Sequence, residues 1–302
     1  MYKPPEHLYP FQSQWLNISG HRMHFLDEGP RDAPIVLMVH GNPTWSFYYR
    51  NLVLALRDRY RCIVPDHIGC GLSDKPAANQ YPYTLERRIS DLDALMGHLQ
   101  PNTTINLVVH DWGGMIGFGW AVERPDRIGK MIIGNTAAFP LPPEKKLPAA
   151  LWLVRNTKVG ALLVQGLNAF SGIASRVAFK KPVSKDVRKG FTGPYDSWDN
   201  RIATLRFVQD IPLDANDPGY KIVEMTEARL PEFEGKPCLI AWGDKDFVFD
   251  RHFLKKWKNI FTSAKVLEYP DCGHYIFEDG GPSLTRAISD FMDKNEHGTE
   301  QG

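Results

Sequence analysis

The sequence lacks the features that would place it in several large classes of protein. It has only four cysteines, Cys62, Cys70, Cys238 and Cys272, scattered and without a CxxC pair. A disulfide scaffold or thiolate zinc site is not expected from that pattern, and reduced thiols in a cytoplasmic protein are the simpler reading. Neither sign of charge dominates, since 36 basic residues face 35 acidic ones for a formal net charge of +1. That balance gives no electrostatic reason to expect nucleic acid or an anionic membrane as partner. No apolar run reaches the roughly 20 residues of a spanning helix. The opening Met-Tyr-Lys-Pro-Pro-Glu has neither the basic segment nor the apolar stretch of a secretory signal. No repeat or low-complexity tract is visible, and only Asn295 to Gly302 read as disordered.

What is present is an alternation of short apolar runs and helical stretches. Residues 14–28 read as a hairpin turning at Ser19-Gly20. Ile35 to Val39, Cys62 to Val64, Ile105 to Val109 and Met131 to Ile133 suit strands buried on both faces. Helical patterns separate them, for instance Phe47 to Leu56 and Leu85 to His98. Such spacing predicts an α/β fold with a mostly parallel, doubly wound sheet. A chain of 302 residues can bury roughly three-quarters of its unfolded surface in such a fold. The pattern breaks at Phe139-Pro140-Leu141-Pro142-Pro143, because proline cannot join a strand ladder. Leu147 to Phe179 is helical and apolar, and strands resume only with Pro237 to Trp242 and Lys265 to Tyr269. The expected organisation is a core in two parts, 1–139 and 229–302, with a helical cap inserted at 140–228. Trp152 and Phe170 are read as packing within that cap.

The chemistry concentrates at the strand ends. Val108-Val109-His110-Asp111-Trp112-Gly113-Gly114 follows a buried strand and opens a helix. Small residues around one exposed side chain at a strand–turn–helix form a nucleophile elbow. Asp111 stands where serine is familiar, and Val109 stands where many elbows carry glycine. Asp111 alone reads equally well as a helix cap. His274 follows the last predicted strand, where the base of such a site belongs, and Trp242-Gly243-Asp244-Lys245-Asp246 follows the strand before it. The chain order is then nucleophile, acid, histidine. Asp246 is preferred to Asp244 as the acid, since the G-x-x-D spacing carries its side chain back over the sheet. His40-Gly41-Asn42-Pro43-Thr44-Trp45 follows the first buried strand. Asn42 brings an amide donor and Trp112 an indole donor, and neither group demands a proton transfer. Two donors beside a carboxylate make a cradle for an anion that leaves.

With these segments, the chain resembles the haloalkane dehalogenases of the α/β-hydrolase superfamily over nearly its whole length. The matching pieces are the Asn42 loop, Asp66-His67-Ile68-Gly69-Cys70-Gly71-Leu72-Ser73-Asp74-Lys75-Pro76, His110 to Gly114, and Gly273-His274. One branch of the family carries a Glu where this chain has Asn135, which again favours Asp246. The likeness is greatest to the third subfamily, which also includes β-lactone decarboxylases. The resemblance implies a hydrolase with an α/β-hydrolase fold, Asp111 as nucleophile, Asp246 and His274 as the acid and base, and Asn42 and Trp112 as halide and oxyanion ligands. The implied reaction displaces halide from a small apolar substrate through an Asp111 alkyl ester, which His274 hydrolyses by activating water. No cofactor or metal is expected. Gly69 and Gly71 give only half a dinucleotide fingerprint, and His21 and His24 point to opposite faces of one predicted strand. The oligomeric state stays open. Three other readings remain: a β-lactone decarboxylase of olefin biosynthesis with the same triad, an epoxide hydrolase using Tyr195 and Tyr220 as acids, and a non-catalytic binding protein of the same fold.

Overall fold

The apolar runs become the strands of one eight-stranded sheet in the computed structural model, which describes residues 2–294. The stretch from Asn295 to Gly302 that reads as disordered lies outside the described residues. The strands are β1 (Ser13–Ile18), β2 (His21–Glu28), β3 (Ile35–Val39), β4 (Arg61–Pro65), β5 (Ile105–Asp111), β6 (Ile128–Thr136), β7 (Cys238–Gly243) and β8 (Lys265–Tyr269). Their order is β1-β2-β4-β3-β5-β6-β7-β8. The hairpin β1–β2 joins β4 antiparallel, and every other pairing is parallel. β3 and β5 are buried along their whole length. Side chains alternate across a strand, so Ile35, Leu37 and Val39 enter one core while Val36 and Met38 enter the other. Unbroken aliphatic runs are what two covered faces require.

Helices α1 (Arg50–Leu56), α2 (Leu85–Leu99) and α3 (Trp112–Ala121) fill the connections up to β6. The expected start at Phe47 is a 3-10 turn, Ser46–Tyr49, before the α-helix proper. Thr84 caps α2 by accepting the N–H of Arg87, satisfying one orphan donor of its first turn. Between β6 and β7 come α4 (Ala149–Asn156), α5 (Lys158–Leu167), α6 (Ala169–Val177), α7 (Lys185–Thr192), α8 (Ile202–Gln209) and α9 (Tyr220–Arg229). Asn168, in the left-handed region at φ 51°, separates α5 from α6. The final α9 lies against α3 rather than over the strand ends. The chain closes with α10 (Arg251–Ile260), α11 (Ile276–Asp279) and α12 (Gly281–Asp293). Among the described residues no helix is long and apolar enough to cross a membrane.

The sheet order reverses direction at β3. The chain leaves β3 for β4 on one side and returns through β5 on the other. In open α/β sheets that switch point leaves a crevice beyond the carboxyl ends of the two strands. Asn42 and Asp111 sit at those two ends.

Candidate active site

Asp111 ends β5 and begins α3 at φ 52° and ψ −126°. A non-glycine residue there is strained by on the order of 1–3 kcal/mol, so the surroundings must hold it. Thr136 Oγ1 donates to the Asp111 carbonyl. A Cβ on Gly113 would collide with the Val39 carbonyl, so only glycine lets α3 start this close to β3. Val109 occupies the position where many elbows carry glycine, and the space it needs is provided one helical turn along. A Cβ at Gly117 would lie 2.8 Å from Val109 Cγ1. The sharp turn presents the Asp111 carboxylate to the crevice.

The five residues expected from the sequence converge on one place. Asp111 Oδ1 accepts the Asn42 backbone N–H at 2.5 Å. His274 Nε2 lies 3.6 Å from Asp111 Oδ2, and its Nδ1 is 2.9 Å from Asp246 Oδ2. The pairing of Nδ1 with a carboxylate turns Nε2 toward Asp111. Asp244 instead pairs with Arg251 at 3.0 Å, so Asp246 is the carboxylate that reaches the imidazole. Trp112 is buried under Phe207, with ring centroids 5.2 Å apart. Asn42 departs in part from expectation, because its Nδ2 donates to the Thr204 carbonyl at 3.0 Å. One hydrogen of that amide is therefore taken and one is left.

Burial pushes the Asp111 carboxyl above its ordinary range, while the neighbouring His274 and the N–H groups of Asn42 and Trp112 pull it back. Burial alone would lower His274. The charge and hydrogen bond of Asp246 more than offset that, leaving its pKa above the ordinary histidine value. The imidazolium is thus favoured beside a carboxylate.

Two supporting residues escaped the sequence reading. Asn135, at φ 33°, donates to Asp246 Oδ2 at 3.0 Å and to the Gly243 carbonyl, and accepts the Gly243 N–H at 2.8 Å. It replaces the Glu of the other branch with a donor to the acid. His110 donates through Nε2 to the His274 carbonyl at 2.7 Å, and burial keeps its pKa well below the ordinary value. Asp66 accepts from Ser46 N–H and Leu72 N–H at 2.7 and 2.8 Å, so the Asp66-to-Pro76 run is pinned as a structural loop.

Over these groups lies a cavity of about 460 Å³. Asn42, Asp111, Trp112 and His274 form its polar part, and Leu151, Val154, Leu163 and Phe170 are among its apolar walls. Phe170, read as packing, therefore lines the cavity, whereas Trp152 is 54% exposed. Neither Tyr195 nor Tyr220 lines it; the Tyr195 hydroxyl is spent on the Thr44 carbonyl at 3.3 Å.

A buried carboxylate at an elbow, facing an imidazole that pairs with a second carboxylate, is an arrangement suited to a hydrolase-fold enzyme. Comparison with known proteins gives the same fold. The chain belongs to the α/β hydrolase fold family, which it matches over residues 34–281. It is similar to the cis-3-alkyl-4-alkyloxetan-2-one decarboxylase of Shewanella oneidensis, 54% identical over 96% of this chain and 91% of that one. The enzyme of that name from Xanthomonas campestris pv. campestris is 45% identical over 95% and 98%. Haloalkane dehalogenase 2 of Mycobacterium bovis is 30% identical over 95% and 97%. Among solved structures, a haloalkane dehalogenase from Bradyrhizobium elkani matches with TM-score 0.82 at 24% identity, over 93% and 97%, a likeness of fold.

Proposed function

We propose that this enzyme decarboxylates cis-3,4-dialkyl β-lactones to alkenes, with Asp111, His274 and Asp246 as its triad. The carrying observation is the ranking of relatives. Dehalogenation is the first expectation from the motifs, but decarboxylases at 54% and 45% identity stand well above a dehalogenase at 30%. The site suits both reactions because both displace an anion from an sp³ carbon. Asp111 attacks ring carbon C4, the C4–O bond breaks, and the ring carboxyl departs as a carboxylate. The remaining Asn42 N–H and the Trp112 indole accept that charge, as preorganised dipoles do. The C3–carboxylate bond then breaks to release CO2, its electron pair forms the C3=C4 bond, and the Asp111 ester oxygen leaves. His274 as imidazolium stabilises the returning carboxylate. Inversion at C4 followed by anti collapse converts a cis lactone into a cis alkene. Atoms balance without water or a cofactor.

Helices α4 to α8 serve as a cap that keeps the ester dry, which matters because water would divert it to a β-hydroxy acid. No tyrosine among the described residues lines the cavity, which counts against the acids that epoxide opening would need. The four cysteines are buried and unpaired, and burial pushes the thiols of Cys62 and Cys70 up to about 12; a reducing cytoplasm suits them. Halide binding by Asn42 and Trp112 remains the second reading, favoured by both residues lining the cavity beside Asp111. Turnover of a cis-3,4-dialkyl β-lactone is compared with halide release from bromoalkanes. Cis alkene and CO2 with little halide are expected; rapid halide release without alkene overturns the assignment.

A further inference from the structure

We propose that the outer face of α4 to α6 docks on an anionic lipid bilayer, with the mouth of the cavity turned toward the acyl chains. Charge carries the first part. Between Glu144 and Asp186 the sequence has no acidic residue, yet it carries eight lysines and arginines. A net charge of +1 over the whole chain conceals this segregation, which is why overall balance gives no hint of a membrane. Asp217 and Asp250, from outside the segment, pair with Arg155 and Lys145. No ion pair among the described residues takes Lys146, Lys158, Arg176, Lys180, Lys181 or Lys185, and all six are exposed.

Apolar exposure carries the second part. Trp152 is 54% exposed, Leu162 59% and Leu167 74%, and none of them lines the cavity. Helix α5 is apolar on both sides, with Leu163 and Val164 facing the cavity and Val159 and Leu162 outside. A surface helix in water normally keeps its outer face polar. On α6, Ile173, Arg176 and Val177 follow an i, i+3, i+4 spacing and share one exposed stripe, and exposed Lys180 and Lys181 follow just beyond the helix end. Aliphatic residues and a tryptophan flanked by lysine and arginine are the composition of an interfacial face, in which bases meet headgroups and apolar tips enter the acyl boundary.

The cavity opens on the same face. Leu153, Ile173 and Val177 line it and are also exposed. Apolar side chains therefore run from the exposed surface into the cavity wall on that side. A second copy of the chain is a poorer occupant, because a self-complementary two-fold contact would set this basic face against itself. The docking surface does not depend on what Asp111 attacks; direct transfer of a dialkyl lactone or alkene does rest on the proposed activity.

The test is flotation of the full chain with vesicles of phosphatidylcholine mixed with phosphatidylglycerol, against phosphatidylcholine alone. Wild type is expected to float with the mixed vesicles and to be released by salt. Lys158→Glu with Arg176→Glu should weaken partitioning by at least roughly fivefold per charge removed, and Leu162→Asp should weaken it independently. All three positions are exposed and outside the cavity wall, so melting temperature and turnover of a short-chain soluble lactone should be unchanged. Wild type remaining with the soluble fraction, or variants floating as well as wild type, overturns the proposal. So does a solution dimer, seen by light scattering, that Leu162→Asp dissociates, since the face would then belong to a second copy.

Discussion

Replacing His274 should stop the reaction at its covalent stage. In the proposed sequence the imidazolium is not needed for Asp111 to attack but stabilises that carboxylate as it leaves. His274 Nε2 and Asp111 Oδ2 are 3.6 Å apart, a separation at which opposite unit charges attract by about 4.6 kcal/mol at an effective dielectric near 20. Even half to three-quarters of that, realised as the ester collapses, corresponds to a loss of roughly 50- to 350-fold in the second step. His274→Ala, with His274→Gln as the space-filling control, should accumulate an ester carrying the full mass of the lactone, since ring opening expels nothing. Intact-protein mass spectrometry after mixing reads the adduct, and peptide mapping should place it on Asp111. Quenched-flow measurement of alkene gives the collapse rate. A folded variant that loses activity yet never gains mass refutes the covalent step, and one that keeps the wild-type rate refutes the role of His274.

Lactone decarboxylation should hold while His274 is imidazolium and decline as pH rises through its pKa, which lies above the ordinary histidine value. The acid limb should fall as Asp111 protonates, above the ordinary carboxylate range because burial raises that group. Asp246→Asn removes what offsets burial at His274 and should shift the basic limb to lower pH; a pH–rate profile that does not move contradicts the pairing. Halide release, whose second step requires neutral imidazole, should instead rise through the same region. Asn135→Ala strands the buried Gly243 N–H and should lower stability in urea by about 1–3 kcal/mol, while also weakening the hold on Asp246. Gly113→Ala forces a methyl against the Val39 carbonyl and should reduce stability by about 1–3 kcal/mol with loss of turnover; an unchanged denaturation midpoint would mean the close approach of α3 to β3 is wrong.

Most of the scaffold is legible in the sequence because its strands are buried on both faces and read as unbroken aliphatic runs. Ile35 to Val39 matches β3 residue for residue, the run at 105–109 opens β5, and the run at 131–133 marks the middle of β6. The elbow is legible because its geometry demands glycine at 113 next to one functional side chain. Asp246 is preferred to Asp244 on spacing and on the Asn135 position, and the structure adds a reason. The Val248 N–H at 2.7 Å and Asn135 at 3.0 Å hold Asp246 inward, while Arg251 holds Asp244 outward. Asn135 itself could be noticed only as a missing Glu, because its partners lie 108 and 111 residues away. The same applies to His110 against His274, 164 residues apart. Periodicity reports which face a residue takes, not which distant loop it will meet. It also cannot separate a wall of the cavity from its outer surface where a helix is apolar all round, as Phe170 and Trp152 illustrate.

The strain at position 111 belongs to the backbone, not to the carboxylate. Thr136, Gly113 and the Val39 carbonyl fix a φ of 52° whatever side chain projects from it. The scaffold therefore sets an address, and the residue at that address sets the chemistry. A hydroxyl or thiol placed there would meet the same Asn42 N–H and the same imidazole, yet would need that imidazole as a base before attack. An aspartate arrives already charged and releases the histidine for the other end of the reaction. In the proposed reaction, the residue at that one position thus decides on which side of the covalent intermediate the histidine works.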